Sequence, residues 1–190
     1  MIFSTVGLLC LVLGSLACCA GDRNEDSFPN EAARLAGMVL MHAAWSISDL
    51  PKGENLAPLA MTLAKGQTQV IRFSGSDCRE AVSNGFQQLG SQQKHLDAWA
   101  LAYDSIVHTA NGATDAVIVR VWSTLSKDEL LLVQPYEPFW KHHHFRLLGP
   151  FEIYLNNQVQ PASKAKRIRA DVELGVQDHG KHELWHAWLK

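Results

Sequence analysis

The 190-residue sequence predicts an α+β fold: an antiparallel sheet of about five to six strands, with two helices on one face and a helical C-terminal extension. Two observations predict this fold. Apolar residues recur at helical spacing in two segments and alternate at strand spacing in several others. The segments follow one another in the order αββαββββ, whereas a parallel sheet requires a helix between successive strands. The pattern therefore favours an antiparallel sheet.

The composition and the net charge indicate a folded globular protein. Hydrophobic residues make up 47% of the chain and charged residues 19%, as in folded globular proteins. The net charge is −2, so the chain is not a polycation of the kind that wraps nucleic acid. We therefore predict no nucleic-acid partner.

Two helices are predicted in the first half of the chain. Glu31–Ile47 carries apolar residues on more than one stripe, which indicates a buried helix, and Asn30 is placed to cap it. The second helix begins after Ser76-Asp77 and runs to about Leu89.

The strands are predicted from period-two alternation and turn residues. The clearest signal is Asn111-Gly112, a hairpin turn in which both central residues need positive φ. On the strand before it, Trp99 and its alternate neighbours form a large-residue face. The opposite face, with Ala100 at its centre, carries small side chains, which would allow a helix to pack closely against it. The predicted strands are 56–63, 68–73, 97–108, 114–123, 130–136 and 145–155.

These elements divide the chain into four parts. We predict a leader at 1–21, a linker at 22–30, the α+β sheet domain at 31–157 and a helical C-terminal extension at 158–190. The extension contains two short helices, because Gly175 and Gly180 interrupt its pattern.

The predicted leader indicates where in the cell the protein is located. Ile2–Ala20 is uncharged and apolar, and it resembles the signal segment of an exported protein. Leu16-Ala17-Cys18-Cys19 resembles the lipobox of bacterial lipoproteins, which implies a lipid anchor on Cys19 or Cys18. An uncleaved membrane anchor and a misassigned start codon are the alternatives. We predict an exported or membrane-anchored, periplasmic or extracytoplasmic protein, which would be cytoplasmic if the start codon is misassigned.

The cysteines do not form a disulfide framework. Three of the four lie in the leader, so Cys78 is alone in the body of the chain and has no internal partner. A first-turn position after Asp77 could lower its pKa, but we expect an unreactive, partly buried thiol.

A resemblance covers about residues 31–155. The segments 43–49 (AAWSISD), 99–104 (WALAYD) and 114–116 (TDA) resemble a family of small uncharacterised bacterial α+β domains. The resemblance implies no activity and assigns no functional residue.

The C-terminal segment contains a possible zinc motif. His182 and His186 are spaced one helical turn apart and could bind zinc, with Glu183 as the catalytic base and His179 as a further ligand on the same helical stripe. The alternative is an amphipathic terminal helix that docks through Trp185 and its neighbours. A short terminal helix with no downstream third ligand favours this alternative.

Two further clusters have both a functional and a structural explanation. In an extended segment His142 and His144 point the same way and could share a metal, or they belong to a polar loop. The basic segment 164–169 could bind an anionic surface, or it is a solvated helix face.

Carboxylates complete the candidate residues. Asp49, Asp104 and Asp115 come from different segments and could meet in space. Asp104 falls on the small-residue face of its strand, where a buried polar role is possible. The sequence contains no nucleophile elbow, Walker loop or dinucleotide fingerprint.

We therefore favour a non-catalytic interaction domain that binds an unknown protein or small-molecule ligand, without a cofactor, and contacts the membrane through its leader. The first alternative is a zinc-dependent hydrolase that uses the C-terminal motif. The second is a metal-binding protein that uses His142, His144 and His179.

Overall fold

The computed structural model of this chain describes residues 28–109 and 112–189, so the predicted leader and its candidate lipid anchors lie outside the described residues. The helices are α1 (Asn30–Ile47), α2 (Cys78–Gln92), α3 (Phe139–His142), α4 (Ala162–Asp178) and α5 (Glu183–Trp188). The strands are β1 (Leu59–Ala64), β2 (Gln67–Arg72), β3 (Ala98–Thr109), β4 (Gly112–Ser123), β5 (Leu130–Glu137), β6 (Arg146–Leu147), β7 (Glu152–Leu155) and β8 (Gln158–Val159). A 3₁₀ turn at 93–95 follows α2.

The α+β class and the antiparallel sheet are confirmed. The sheet has eight strands in the order β2-β1-β3-β4-β5-β7-β8, with β6 paired to β5, and every pairing is antiparallel. The count exceeds the predicted five to six, because the segment 145–155 forms two strands and β8 adds another. Gly149, at φ 78°, interrupts that segment between β6 and β7.

The helices cover both faces of the sheet. Helix α1 packs on the small-residue face of β3, represented by Ala100, and α4 joins the same core. Helix α2 instead packs on the opposite face, where Leu89 meets Trp99 and Leu101. The expectation that both early helices share one face is therefore wrong, because the aromatic face of β3 also needs a cover.

Helices α1 and α4 touch through glycines. A Cβ atom at Gly37 would lie 1.9 Å from the Val172 carbonyl oxygen, and one at Gly175 would lie 1.9 Å from the Arg34 carbonyl oxygen. Neither position has room for a side chain, so these two glycines allow the helices to pack backbone against backbone.

The helix starts differ from each other. Helix α2 begins after Asp77 as predicted, and the Asp77 side chain caps it by accepting the Glu80 amide N–H at 2.8 Å. The predicted Asn30 cap is wrong: Asn30 is the first residue of α1, Pro29 occupies the cap position, and no side chain of the described residues caps this end. Within residues 28–109 and 112–189, no helix combines the length and apolar character needed to cross a bilayer.

Candidate ligand-binding cleft

The strongest candidate site lies where α1 ends and the sheet continues beyond it. On β3 the face covered by α1 includes Ala98, Ala100 and Ala102, and Asp104 is the next residue on the same face. On the neighbouring strands the same face carries Asp115 of β4 and Tyr136 of β5, which are directly paired. Three polar side chains thus replace the apolar ones at the point where the helix stops covering the sheet.

These residues line a cleft of about 290 Å³. The loop after α1, residues 50–55, forms another part of its wall, together with Pro138 and Trp140. The Trp140 residue is 39% exposed to solvent. The cleft therefore combines a polar floor on rigid strands with an accessible aromatic side chain, as small-molecule sites commonly do.

Asp104 is the polar centre of the cleft. The Tyr136 hydroxyl donates to Asp104 Oδ2 at 3.0 Å. Its other oxygen, Oδ1, is buried and accepts no hydrogen bond within the described part of the chain. Burial raises the pKa of Asp104 to about 6; the Tyr136 hydrogen bond opposes this shift, and the nearby Asp115 carboxylate adds to it.

Tyr136 remains a donor at all physiological pH values. Burial, and then the charge of Asp104, raise the pKa of its hydroxyl well above the usual value. Its ring packs on Phe145 with centroids 5.4 Å apart, which holds the hydroxyl in place. Tyr136 therefore orients one oxygen of Asp104, and the other is buried without a hydrogen bond among the described residues.

The edge of the cleft carries mixed charge. Lys141 Nζ lies 3.0 Å from Asp115 Oδ2, so one carboxylate of the cleft is already paired. The ammonium groups of Lys141 and Lys52 lie 5.3 Å and 5.5 Å from the centroid of the Trp140 ring. The described lining of the cleft thus contains the carboxylates of Asp104, Asp115 and Glu54 and the Lys52 ammonium group, and Lys141 lies beside it in its ion pair with Asp115.

The cleft is suited to binding through a hydrogen-bond donor. Ser, Thr, Cys and His side chains are absent from the described residues that line it. Its described lining offers the carboxylates of Asp104 and Asp115 as hydrogen-bond acceptors, and Asp104 can also accept a proton. Of the three predicted carboxylates, the structure brings Asp104 and Asp115 together, whereas Asp49 lies exposed in the turn after α1.

The structure does not place the predicted zinc residues on a single helix. His179, His182 and His186 do not share one helix, because α4 ends at Asp178 and α5 begins at Glu183. Gly180 lies between the two helices, where the chain turns, but the predicted interruption at Gly175 is wrong, because Gly175 lies within α4. His182, Glu183 and His186 are exposed. Helix α5 docks through the buried Trp185, with Leu184 and Trp188 beside it, as the alternative explanation predicts.

The His142–His144 segment is not extended as expected from the sequence, because α3 ends at His142 and His143 adopts a left-handed conformation with φ 58°; its side chains make local contacts. His142 Nε2 lies 2.9 Å from Glu137 Oε1, and His144 Nδ1 lies 2.9 Å from the His142 carbonyl oxygen. A wider groove of about 610 Å³ separates this segment from α5, but α5 lines it with Leu184, Ala187 and Trp188.

Metal binding by either histidine segment stays a prediction. Among residues 28–109 and 112–189, no three His, Cys, Asp or Glu side chains are grouped so as to hold a metal ion. This geometry does not add support to the two metal hypotheses.

Two other sequence features have structural roles. Burial, followed by the charges of Asp104 and Asp77, raises the pKa of the Cys78 thiol, so the lowering considered from its helix position is wrong. In the basic segment Arg169 donates to the Phe151 carbonyl oxygen and lies over the Phe151 ring. Lys166 and Arg167 are exposed on α4, as a solvated helix face predicts.

Sequence reasoning missed Tyr136, Trp140 and the two lysines. Asp104 and Asp115 meet because the β3–β4 register pairs Thr109 with Gly112, which places Asp104 opposite Val117, next to Asp115 on the same face. A turn centred on Asn111-Gly112 would instead place Asp104 opposite Val119, so the sequence signal does not give this register. No sequence signal places Lys52 or Trp140 there, because loop conformation brings them in.

Comparison with known proteins adds no identity. No family model, no curated protein and no solved structure shows significant similarity to this chain.

Proposed function

We propose that this chain is a non-catalytic binding domain that takes a small, hydrogen-bond-donating ligand in the Asp104 cleft. It is exported or held at a membrane through its N-terminal segment. The ligand donates an N–H or O–H group to Asp104 and packs against Trp140. No metal or other cofactor takes part in this binding.

One observation supports this proposal above the others: Asp104 Oδ1 is buried without a hydrogen-bond partner among the described residues, and Asp104 lies in the wall of an accessible cleft. An unpaired buried acceptor destabilises a fold by about 1–3 kcal/mol, and a charged one by more. A ligand donor would remove this cost. Perturbed carboxyl groups in clefts also occur preferentially at functional sites.

The size and charge of the cleft limit the ligand. A volume of about 290 Å³ lies at the lower end for small-molecule sites, so the ligand is no larger than a few amino acids. An ammonium or amide group suits Asp104. An acidic group on the same ligand would meet Lys52, which lines the cleft. A zwitterion such as a free amino acid therefore combines both features.

NMR titration of the isotopically labelled full chain tests the proposal. Glycine, glycinamide and acetate serve as probes, because they carry both groups, the donor alone and the acceptor alone. We expect the two donor probes to shift the signals of Asp104 and Tyr136, and Asp104→Asn to remove most of that shift. Asp49→Asn, which changes an exposed carboxylate outside the cleft, is the matched control. Equal shifts in wild type and Asp104→Asn, or a shift by acetate alone, would contradict the proposal.

A second candidate function uses the same residue. A carboxyl group with a pKa of about 6 can act as a general acid or base near neutral pH. The same spectra distinguish the two functions, because turnover converts a probe into new signals in wild type but not in Asp104→Asn. Unchanged probes favour binding alone.

A further inference from the structure

A second polar cluster lies away from the cleft, where β2, α1 and the end of α4 meet. His42 of α1 faces His179, the residue that follows α4, with His42 Nδ1 and His179 Nε2 3.1 Å apart. Arg72, the last residue of β2, places Nη2 3.2 Å from His42 Nε2. The ring of Trp45 lies beside both imidazoles, with centroids 5.6 Å and 6.2 Å away.

The proton positions in this cluster are constrained. Burial lowers the pKa values of both His42 and His179, so both rings are neutral near neutral pH. A neutral imidazole has one N–H donor and one nitrogen acceptor. The two rings together therefore have two donors and two acceptors to share with their neighbours.

The backbone decides which nitrogen of His179 carries its proton. The amide N–H of Lys181 donates to His179 Nδ1 at 3.2 Å, and a backbone amide in a turn cannot rotate away. His179 Nδ1 is therefore the acceptor, and its proton lies on Nε2. That N–H donates to His42 Nδ1, which places the remaining ring proton on His42 Nε2.

In this arrangement the hydrogen bonds run from the Lys181 amide through His179 to His42, and the last donor, His42 Nε2–H, faces the Arg72 guanidinium. His42 Nε2–H and the Arg72 guanidinium, which only donates, lie 3.2 Å apart. Arg72 is exposed, and no carboxylate of residues 28–109 or 112–189 lies within ion-pair distance of it. Two adjacent N–H donors that face each other are repulsive, and an oxyanion beside the two nitrogens would accept a hydrogen bond from each.

We propose that Arg72 and His42 together bind an oxyanion, a carboxylate or phosphate group, which accepts one hydrogen bond from the guanidinium and one from His42 Nε2–H. His179 acts as a positioning residue, because it fixes the tautomer that turns the His42 donor outward. The inference is independent of the Asp104 cleft and stands on different residues.

The tautomers are the first test. Long-range ¹H–¹⁵N spectra of the labelled full chain report which ring nitrogen carries the proton. We expect the Nε2–H form for both His42 and His179. A His42 protonated on Nδ1, with Arg72 donating to Nε2, would leave no second donor for an anion and would overturn the proposal.

Anion titration is the second test. Inorganic phosphate and acetate are the two probes, with potassium chloride at matched ionic strength as the reference. We expect saturable shifts of His42 Nε2 and the Arg72 guanidinium, and a loss of affinity of about tenfold or more in Arg72→Gln. The stronger probe identifies the class of oxyanion.

Arg167→Gln is the matched control, because Arg167 is an exposed arginine on α4. We expect it to retain wild-type affinity. Arg72 is exposed as well, so both variants should fold, and thermal unfolding verifies this. Equal losses in the two variants would show non-specific attraction to positive charge and would overturn the proposal. Shifts no larger than those with chloride would do the same.

Discussion

The Asp104 cleft and the C-terminal histidine segment are polar clusters of different kinds: burial distinguishes the first, and sequence spacing distinguishes the second. The histidines have the more suggestive spacing, yet His182 and His186 are exposed, and the side chain that fixes their helix is Trp185. Asp104 and Tyr136 lie 32 residues apart and match no motif, yet burial changes the chemistry of both. Desolvation, rather than spacing, therefore distinguishes the better candidate site.

The largest expected effect contrasts the two tryptophans of these regions. Trp185 is 5% exposed and belongs to the core, whereas Trp140 is 39% exposed at the cleft. Trp185→Ala should lower the free energy of unfolding by about 3 kcal/mol, because it leaves a cavity. Trp140→Ala should lower it by about 1 kcal/mol or less but weaken probe binding in the cleft. Urea unfolding of both variants checks this; the reverse order would refute the contrast.

The second effect is a gain of stability on removing a charge from the cleft. The pKa of Asp104 is about 6 in the fold against 3.8 as the reference value, so the unfolded chain ionises first. The folded state therefore loses stability relative to the unfolded state as pH rises from about 4 to about 6, and the loss remains above that range. Asp104→Asn should avoid this loss.

The expected gain at pH 7 is about 1–2 kcal/mol, less than the full shift of two pKa units would give, because the side chain retains some contact with solvent. Thermal unfolding of Asp104→Asn between pH 4 and pH 8 measures it. Asp49→Asn, which alters an exposed carboxylate, should show no such pH-dependent gain. A destabilised Asp104→Asn at pH 7 would indicate a structural role for the carboxylate instead.

The third effect concerns Tyr136. Its hydroxyl stabilises the charged form of Asp104, so Tyr136→Phe should raise the pKa of Asp104 above about 6, by about one unit. Carbon-detected NMR of the carboxyl group follows this titration. Tyr154→Phe is the matched control, since Tyr154 donates to Glu152 outside the cleft. An unchanged Asp104 pKa in Tyr136→Phe would remove Tyr136 from the site.

The smallest effect is expected at the histidines. The His182→Ala, His186→Ala double variant should change the free energy of unfolding by about 0.5 kcal/mol or less, because both side chains are exposed. Untagged wild type and double variant should also retain equally little zinc after dialysis against a weak chelator. About one zinc per wild-type chain, lost in the double variant, would instead support the zinc hypothesis and reverse the ranking of the two regions.

The sequence by itself determined the class of the fold and most of its elements. Alternation and turn residues located the five long strands, and Asp77 located the start of α2, because strand faces and helix caps are set by neighbours in sequence. The sequence did not determine the β3–β4 register: the structure pairs Thr109 with Gly112, whereas a turn centred on Asn111-Gly112 would pair Ala110 with Ala113. The short strands β6 and β8 are too brief to show a period.

Only the tertiary structure decided which face each helix covers, and thereby which polar residues are buried. The end of α1 leaves part of the sheet face open, and the loop at 50–55 and Trp140 complete the cleft there. The meeting of His42, His179 and Arg72 depends in the same way on how α1, α4 and β2 pack. Burial is a property of the whole packed chain, so the pKa of Asp104 and the donor pair at Arg72 follow from packing that no local sequence pattern encodes.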